Sequence, residues 1–294
     1  MKGELTMSNK KKLLIALIAL VLVAVIAVVV VVVVSNGKKT ENKTITIGAT
    51  ATPHALILEE IREDYAALGY DMDIVVVSDY YISNPSTAAG EMDCNFFQHV
   101  PFLDEYNKSV AESEQLVAAI GVHCEPYGIY PGTKANLAEI ADGDKIAITN
   151  DPSNLTRALL LLSDAGLLEL PEGSDWSSTL TSADVVSKCC DFEIVEMNAE
   201  LIPSMRNDVT FAVINGNYAI DAGLSVVKDA LFTEAEGLAG QAYVNYVVTR
   251  PEDVEADWLV ALKQVLCSEK VYNFIVNSDQ FKGGVVPAFT VEAK

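Results

Sequence analysis

The chain has 294 residues, half of them apolar, and its 41 acidic side chains against 20 basic ones give a net charge of −21. Such a surface repels polyanions, and no basic patch interrupts it, so nucleic acid is not expected as a partner. Five cysteines, Cys94, Cys124, Cys189, Cys190 and Cys267, show no metal-ligand spacing and read as small buried thiols.

The first feature along the chain is an uncharged apolar run over residues 13–34. At about 1.5 Å per residue a helix of this length spans about 33 Å, enough to cross a bilayer, whereas a signal peptide needs only about 7–15 apolar residues. The run is expected to be a transmembrane anchor or uncleaved signal. Cleavage at Val33-Val34-Ser35 stays open as the alternative. Residues 1–12 then form a short cytoplasmic tail, and residues 35–43 a polar linker to a domain outside the cytoplasm. The first 43 residues carry seven Lys and two Glu, so a whole-chain charge of −21 leaves −26 on the remainder. That acidity implies solubility and nothing more specific.

The folded part is expected to begin near Thr44. A strand over 44–49, an amphipathic helix over 53–68 stopped by Gly69 and a strand over 72–77 make a βαβ unit. Further strands are predicted over 116–122, 145–149, 192–197 and 209–214, and helices over 152–165, 182–188 and 256–266. An α/β class follows. About 250 residues exceed the usual domain of about 100–200, so two lobes are expected.

Residues 150–162 read Asn-Asp-Pro-Ser-Asn-Leu-Thr-Arg-Ala-Leu-Leu-Leu-Leu. Asn150 or Asp151 can cap a helix whose first turn accepts Pro152. Asn154 and Arg157, three apart, share one face beside free backbone N–H groups, so amide and guanidinium fork can converge on a carboxylate. As a cleft residue Arg157 is expected to support no core, so its replacement by Ala should spare the fold. A capped helix with a surface ion pair fits the same segment.

A second cluster, Asn95-Phe96-Phe97-Gln98-His99-Val100-Pro101-Phe102, is expected to follow a short strand and lead into a helix near Pro101. Ligands of open α/β sheets bind at the carboxyl ends of strands, and Phe97 and His99 fit there, as do Tyr80 after the strand ending at Val77 and Asn215 after the strand ending at Ile214. Ordinary core aromatics are the competing reading. No nucleophile elbow, zinc-protease or nucleotide-binding motif occurs, so no catalytic residue and no cofactor is assigned. His54, His99 and His123 lack a paired carboxylate at ligand spacing, and no metal site is assigned.

The blocks Ser78-Asp79-Tyr80, Asp93-Cys94-Asn95-Phe96-Phe97-Gln98-His99 with Pro101, Asn150-Asp151-Pro152-Ser153-Asn154 with Arg157, and Val213-Ile214-Asn215 with Tyr218-Ala219 resemble the methionine-binding lipoproteins of the NlpA family, substrate-binding components of bacterial methionine ABC importers. The resemblance runs in order from about Thr44 to the Gly283-Gly284 ending. It implies a two-lobed periplasmic-binding-protein fold with the ligand in the cleft, lobe 1 being 44–126 plus 246–294 and lobe 2 being 127–245. Crossovers are expected near 126–130 and 243–248. It further implies a ligand-binding set of Tyr80, Phe97 and His99 on the first lobe, Asn154, Arg157 and Asn215 on the second, and Asn245 at the returning hinge strand. The implied ligand is L-methionine or a related amino acid, passed to an ABC permease and its ATPase.

Two departures stand out. Family members usually carry a lipobox cysteine after the apolar run, whereas the first cysteine here is Cys94, so the run itself is expected to hold the protein in the membrane. Phe102 stands where the family more often has Tyr. No carboxylate in the matched blocks pairs a ligand ammonium, and that contact stays unassigned. A binding protein for another solute, a dipeptide or a metal ion, and a secreted hydrolase are the alternatives, the missing nucleophile motif counting against the last.

Overall fold

Alternating Thr and Ile residues fit a pleated strand with one face in the core, and β1 (Lys43–Thr50) buries Ile45, Ile47 and Ala49 completely. It opens the part of the chain that the computed structural model describes, residues 42–234, 242–281 and 283–291. The apolar run over 13–34 lies outside the described residues, and among these no helix is long and apolar enough to cross a membrane.

Helical segments follow β1 in three pieces, Ala51–Ala55, Leu56–Glu60 and Arg62–Ala67. The single helix expected over 53–68 is thus interrupted where Ile61 leaves the helical region at ψ 2°. Gly69, at φ +94°, then reverses the chain in a left-handed conformation natural to glycine. β2 (Tyr70–Val77), β3 (Cys94–His99) and β4 (Val117–Cys124) complete this part of the chain. The strand that was expected to precede Asn95 in fact runs through it to His99, and the helix Val100–Ser109 starts at once.

β5 (Gly128–Pro131), β6 (Lys145–Thr149), β7 (Leu168–Glu169), β8 (Ser187–Lys188), β9 (Glu193–Met197), β10 (Phe211–Ile214) and β11 (Phe232–Thr233) come next. The helix predicted over 182–188 is a single 3-10 turn, Ser182–Asp184, and then β8. Thr181 and Asp184 form a capping box there, but the β-branched pair Val185-Val186 follows and the chain turns extended to pair with β7. β12 (Val244–Thr249) and β13 (Val286–Pro287) close the sequence of strands.

Two sheets result. The first has the order β13-β4-β12-β3-β1-β2 and the second β11-β5-β10-β6-β9. The chain passes from first to second between Cys124 and Gly128 and returns between Thr233 and Val244. β12 lies antiparallel between β3 and β4, with Asn245 opposite both His99 and His123. Each sheet has its own core. Ile57, Leu58, Ile61 and Tyr65 pack with Trp258, Leu262 and Ile275 of the helices Asp257–Leu266 and Glu269–Asn277 around the first. Leu155, Ala158, Leu159 and Leu162 of the helix Pro152–Asp164 cover Ile146, Ile148, Phe211 and Val213 of the second. A third apolar cluster contains Tyr80 and Phe97 together with Tyr130, Ile214 and Tyr218, drawn from both sheets and their connections.

Candidate ligand-binding site

Tyr80, Phe97, His99, Asn154, Arg157, Asn215 and Asn245 all line one cavity. Tyr80 and Asn215 lie just beyond β2 and β10, Phe97 and His99 in the last half of β3, Asn154 and Arg157 in the first two turns of the helix that follows β6, and Asn245 near the start of β12. Strand ends of the two sheets therefore meet at one place, as strand ends do in open α/β folds.

One wall is aromatic. The Tyr80 and Phe97 rings stack at 5.7 Å, and Phe102 meets both edge-on at 5.7 and 5.5 Å. Tyr80 is held from across the cavity, its hydroxyl donating to Asn217 Oδ1 at 2.5 Å. His99 is held likewise. Its Nδ1 accepts from the Phe102 amide at 3.3 Å as the cap of the helix Val100–Ser109, so the proton lies on Nε2, which donates to Asn154 Oδ1 at 3.0 Å.

The other wall is the start of the helix Pro152–Asp164. Asp151 caps it, Oδ1 accepting from the Asn154 backbone at 3.0 Å and from Asn154 Nδ2 at 2.9 Å. Arg157 is not the free fork that its position suggested. Its Nε and Nη2 donate at 2.6 Å each to the two oxygens of Glu234, and Nη2 also reaches the Glu125 carbonyl at 2.8 Å. The guanidinium carbon lies 4.0 Å from the centre of the Tyr127 ring and 3.9 Å from that of Tyr243. The protein thus occupies the Nε–Nη2 edge of the fork.

Four polar groups of the cavity escaped the sequence reading: Gln98, Glu125, Tyr127 and Asn217. Gln98 exchanges hydrogen bonds with the buried amides of Asn84 and Asn95 behind the aromatic wall. Asn217 was within reach, standing three residues past the strand end that pointed to Asn215. Glu125, directly past β4, also stood at a strand end, and Gly216 leaves it room, since a Cβ there would lie 2.5 Å from the Glu125 Cβ. Three buried atoms in the lining form no hydrogen bond within the protein: Asn215 Oδ1, Asn217 Nδ2 and Tyr127 Oη. Buried polar atoms of native proteins are nearly always satisfied, so three exceptions in one lining set this cavity apart.

The three histidines do not come together. His99 is turned to Asn154, while His54 and His123 face Glu125, with the ligand atoms of these three all within 4.8 Å of one another.

Residues 45–289 match the family described as NlpA lipoprotein. The chain belongs to that family. Among its relatives, the methionine-binding lipoprotein MetQ of Bacillus subtilis (strain 168) is 35% identical over 256 residues, covering 86% of this chain and 91% of the relative. A solved structure of a nutrient binding protein from Burkholderia cenocepacia bound to methionine superposes with a TM-score of 0.78 at 32% identity, over 83% of this chain and all of the other. A periplasmic substrate-binding protein of an ABC transporter from Coxiella burnetii gives 0.75 at 33% identity, again over 83% of this chain and the whole of that one. The fold of this NlpA-family chain is therefore the mixed α/β fold of periplasmic substrate-binding proteins.

Proposed function

We propose that this chain is the non-enzymatic substrate-binding component of an ABC importer, that its ligand is L-methionine or a closely related amino acid, and that it delivers this ligand to a permease powered by an ATPase. The observation that carries the reading is the cavity itself. It sets three aromatic rings, suited to an apolar or thioether side chain, beside a guanidinium edge and unsatisfied amide groups suited to a zwitterion. The methionine-binding relative and the methionine-bound neighbour support the same ligand.

In this reading Tyr80, Phe97 and His99 flank the side chain, Arg157 Nη1 and the free N–H of Asn154 take the carboxylate, and Asn215 and Asn245 complete the site. Residues 44–126 with 246–294 form one lobe and 127–245 the other, closing on the ligand by a hinge at the two crossovers. The hydrogen bonds Tyr80 to Asn217 and His99 to Asn154 join side chains attached to different sheets, as a closed cleft requires. The run over 13–34 anchors the protein in the membrane with its binding domain outside the cytoplasm. After a carbonate wash the full-length protein should stay in the membrane fraction without acylation, and a shortened soluble form would show cleavage instead.

Calorimetry with a panel of amino acids, dipeptides and divalent metals tests the ligand. Methionine should bind more tightly than glutamine, whose amide would lose hydrogen bonds worth about 1–3 kcal/mol on entering the aromatic wall. Equal affinities would refute the aromatic cage.

A further inference from the structure

Glu125 is a buried carboxylate in the cavity wall, 5% exposed, with no lysine or arginine paired to it among the described residues. The nearby guanidinium of Arg157 is already neutralised by Glu234. Behind Glu125 two imidazoles converge on one oxygen, His123 Nε2 at 2.7 Å from Oε1 and His54 Nε2 at 3.4 Å. His54 Nε2 also lies 3.0 Å from Asn245 Oδ1, and its Nδ1 lies 2.6 Å from the Thr50 hydroxyl. Acceptors surround Nε2, so the proton of His54 belongs there and the Thr50 hydroxyl donates to Nδ1. His123 Nδ1 has no partner, which a lone pair tolerates better than a buried N–H, so its proton is on Nε2 as well. Burial holds His54 down to about 4 and His123 to about 3, leaving both rings neutral donors at neutral pH. Burial also pushes the Glu125 carboxyl up, opposed by His54, Arg157 and the Asn217 backbone amide.

A buried carboxylate without a protein cation either takes up a proton or is completed as the anion by hydrogen-bond donors and a bound cation, and donors already face Glu125. Building on the amino-acid reading above, we propose that Glu125 is the acceptor of the ligand's α-ammonium group, that His123 is the positioning residue that donates to its carboxylate, and that the site is thereby restricted to free α-amino acids. Asn215 Oδ1, unsatisfied in the same cavity, is the second acceptor. The placement of the charges supports this class. Arg157 touches Glu125 itself, Nη2 on its carbonyl at 2.8 Å, so the cationic and anionic sides of the cavity adjoin. An α-amino acid carries both charges on one carbon, whereas each further residue of a peptide separates them by about 3.5 Å.

The test compares methionine with its des-amino analogue, 4-(methylthio)butanoate, and with N-acetylmethionine by calorimetry. The parent should prefer methionine over both by about 30-fold to several thousand-fold, the range for truncating one partner of a buried charge pair. Glu125→Gln, which keeps the shape, should bring methionine and the des-amino analogue within about threefold of each other without lowering the melting temperature of the unliganded protein, since it removes a buried charge. His123→Phe should weaken methionine by about tenfold, one charge-assisted hydrogen bond, and leave the analogue unchanged, which a general loss of packing would not do. A Glu125→Gln protein that binds methionine within threefold of the parent, or a parent that binds the analogue equally well, overturns the proposal. So does zinc that displaces methionine and loses its affinity in His123→Phe, which would assign the cluster to a metal. A parent that prefers another amino acid refutes methionine alone, and the same comparison with that amino acid then decides Glu125. A parent that takes up no amino acid overturns both readings.

Discussion

Arg157→Ala should lose stability as well as ligand, by about 3–5 kcal/mol, the usual consequence of leaving one partner of a buried ion pair alone. The partner is Glu234, whose two oxygens accept from Nε and Nη2 at 2.6 Å, and whose Oε2 also accepts from the Tyr127 backbone at 2.9 Å. Alanine would also open the slot between the Tyr127 and Tyr243 rings, where each cation–π contact is worth about 0.5–2 kcal/mol. For a domain of this size the melting temperature should fall by about 6–20 °C. Methionine affinity should fall by about 30-fold to several thousand-fold with the loss of Nη1. The two effects can be separated. Replacing both Arg157 and Glu234 by apolar residues, as Arg157→Met with Glu234→Leu, removes the stranded charge, so stability should return while binding does not. If that double variant bound methionine within threefold of the parent, Arg157 would hold no ligand carboxylate.

The expectation that Arg157 supports no core failed for a reason that sequence could not supply. Its partner lies 77 residues away, beyond five strands and several turns, and no local pattern announces a buried pair at that separation. What was legible is what depends on neighbours in sequence. Pro152 in the first turn, Asp151 as the cap and the leucines that follow dictate a helix start at residue 152, and that helix is present. The same locality exposed the strand ends, because a strand followed at once by polar or aromatic residues is visible in a window of ten. Tyr80, Phe97, His99 and Asn215 from the strand ends, and Asn154 and Arg157 from the helix start, consequently fall around a single cavity, which Asn245, implied only by the family resemblance, also lines.

The distant partners of Glu125 and the helix expected over 182–188 mark the opposite limit. Glu125 matters through His54, 71 positions earlier, through His123 beside it and through the missing side chain of Gly216. Only the fold brings those together. Residues 181–184 carry a valid start signal, yet a helix also needs an apolar face to bury, and Val186 stays 65% exposed. Local propensity sets where an element can start, and packing decides whether it continues.

Acidification should destabilise the unliganded protein steeply below pH 6.5. All three histidines of the chain are buried, and burial holds His54 at about 4 and His99 and His123 at about 3 in the folded state, the Arg157 charge adding to the effect on His99. Unfolded, each returns to about 6.5. Between those values the unfolded chain binds protons that the folded chain refuses, so stability is complete above pH 6.5 and is lost as the pH falls towards 4. Each histidine contributes a slope of about 1.4 kcal/mol per pH unit, and three together about 4. Glu125 and Asp151, pushed up by burial, act with the opposite sign, their folded forms holding protons that the unfolded carboxyls release, and they offset part of the loss at the acidic end. Urea unfolding between pH 7.5 and 5 should therefore show a midpoint that falls with pH, and His123→Phe should remove about a third of the slope because one of the three protons is gone. A midpoint independent of pH over that range would mean that the imidazoles are already charged or solvated in the folded protein, and the neutral donors on which Glu125 depends would be lost with them.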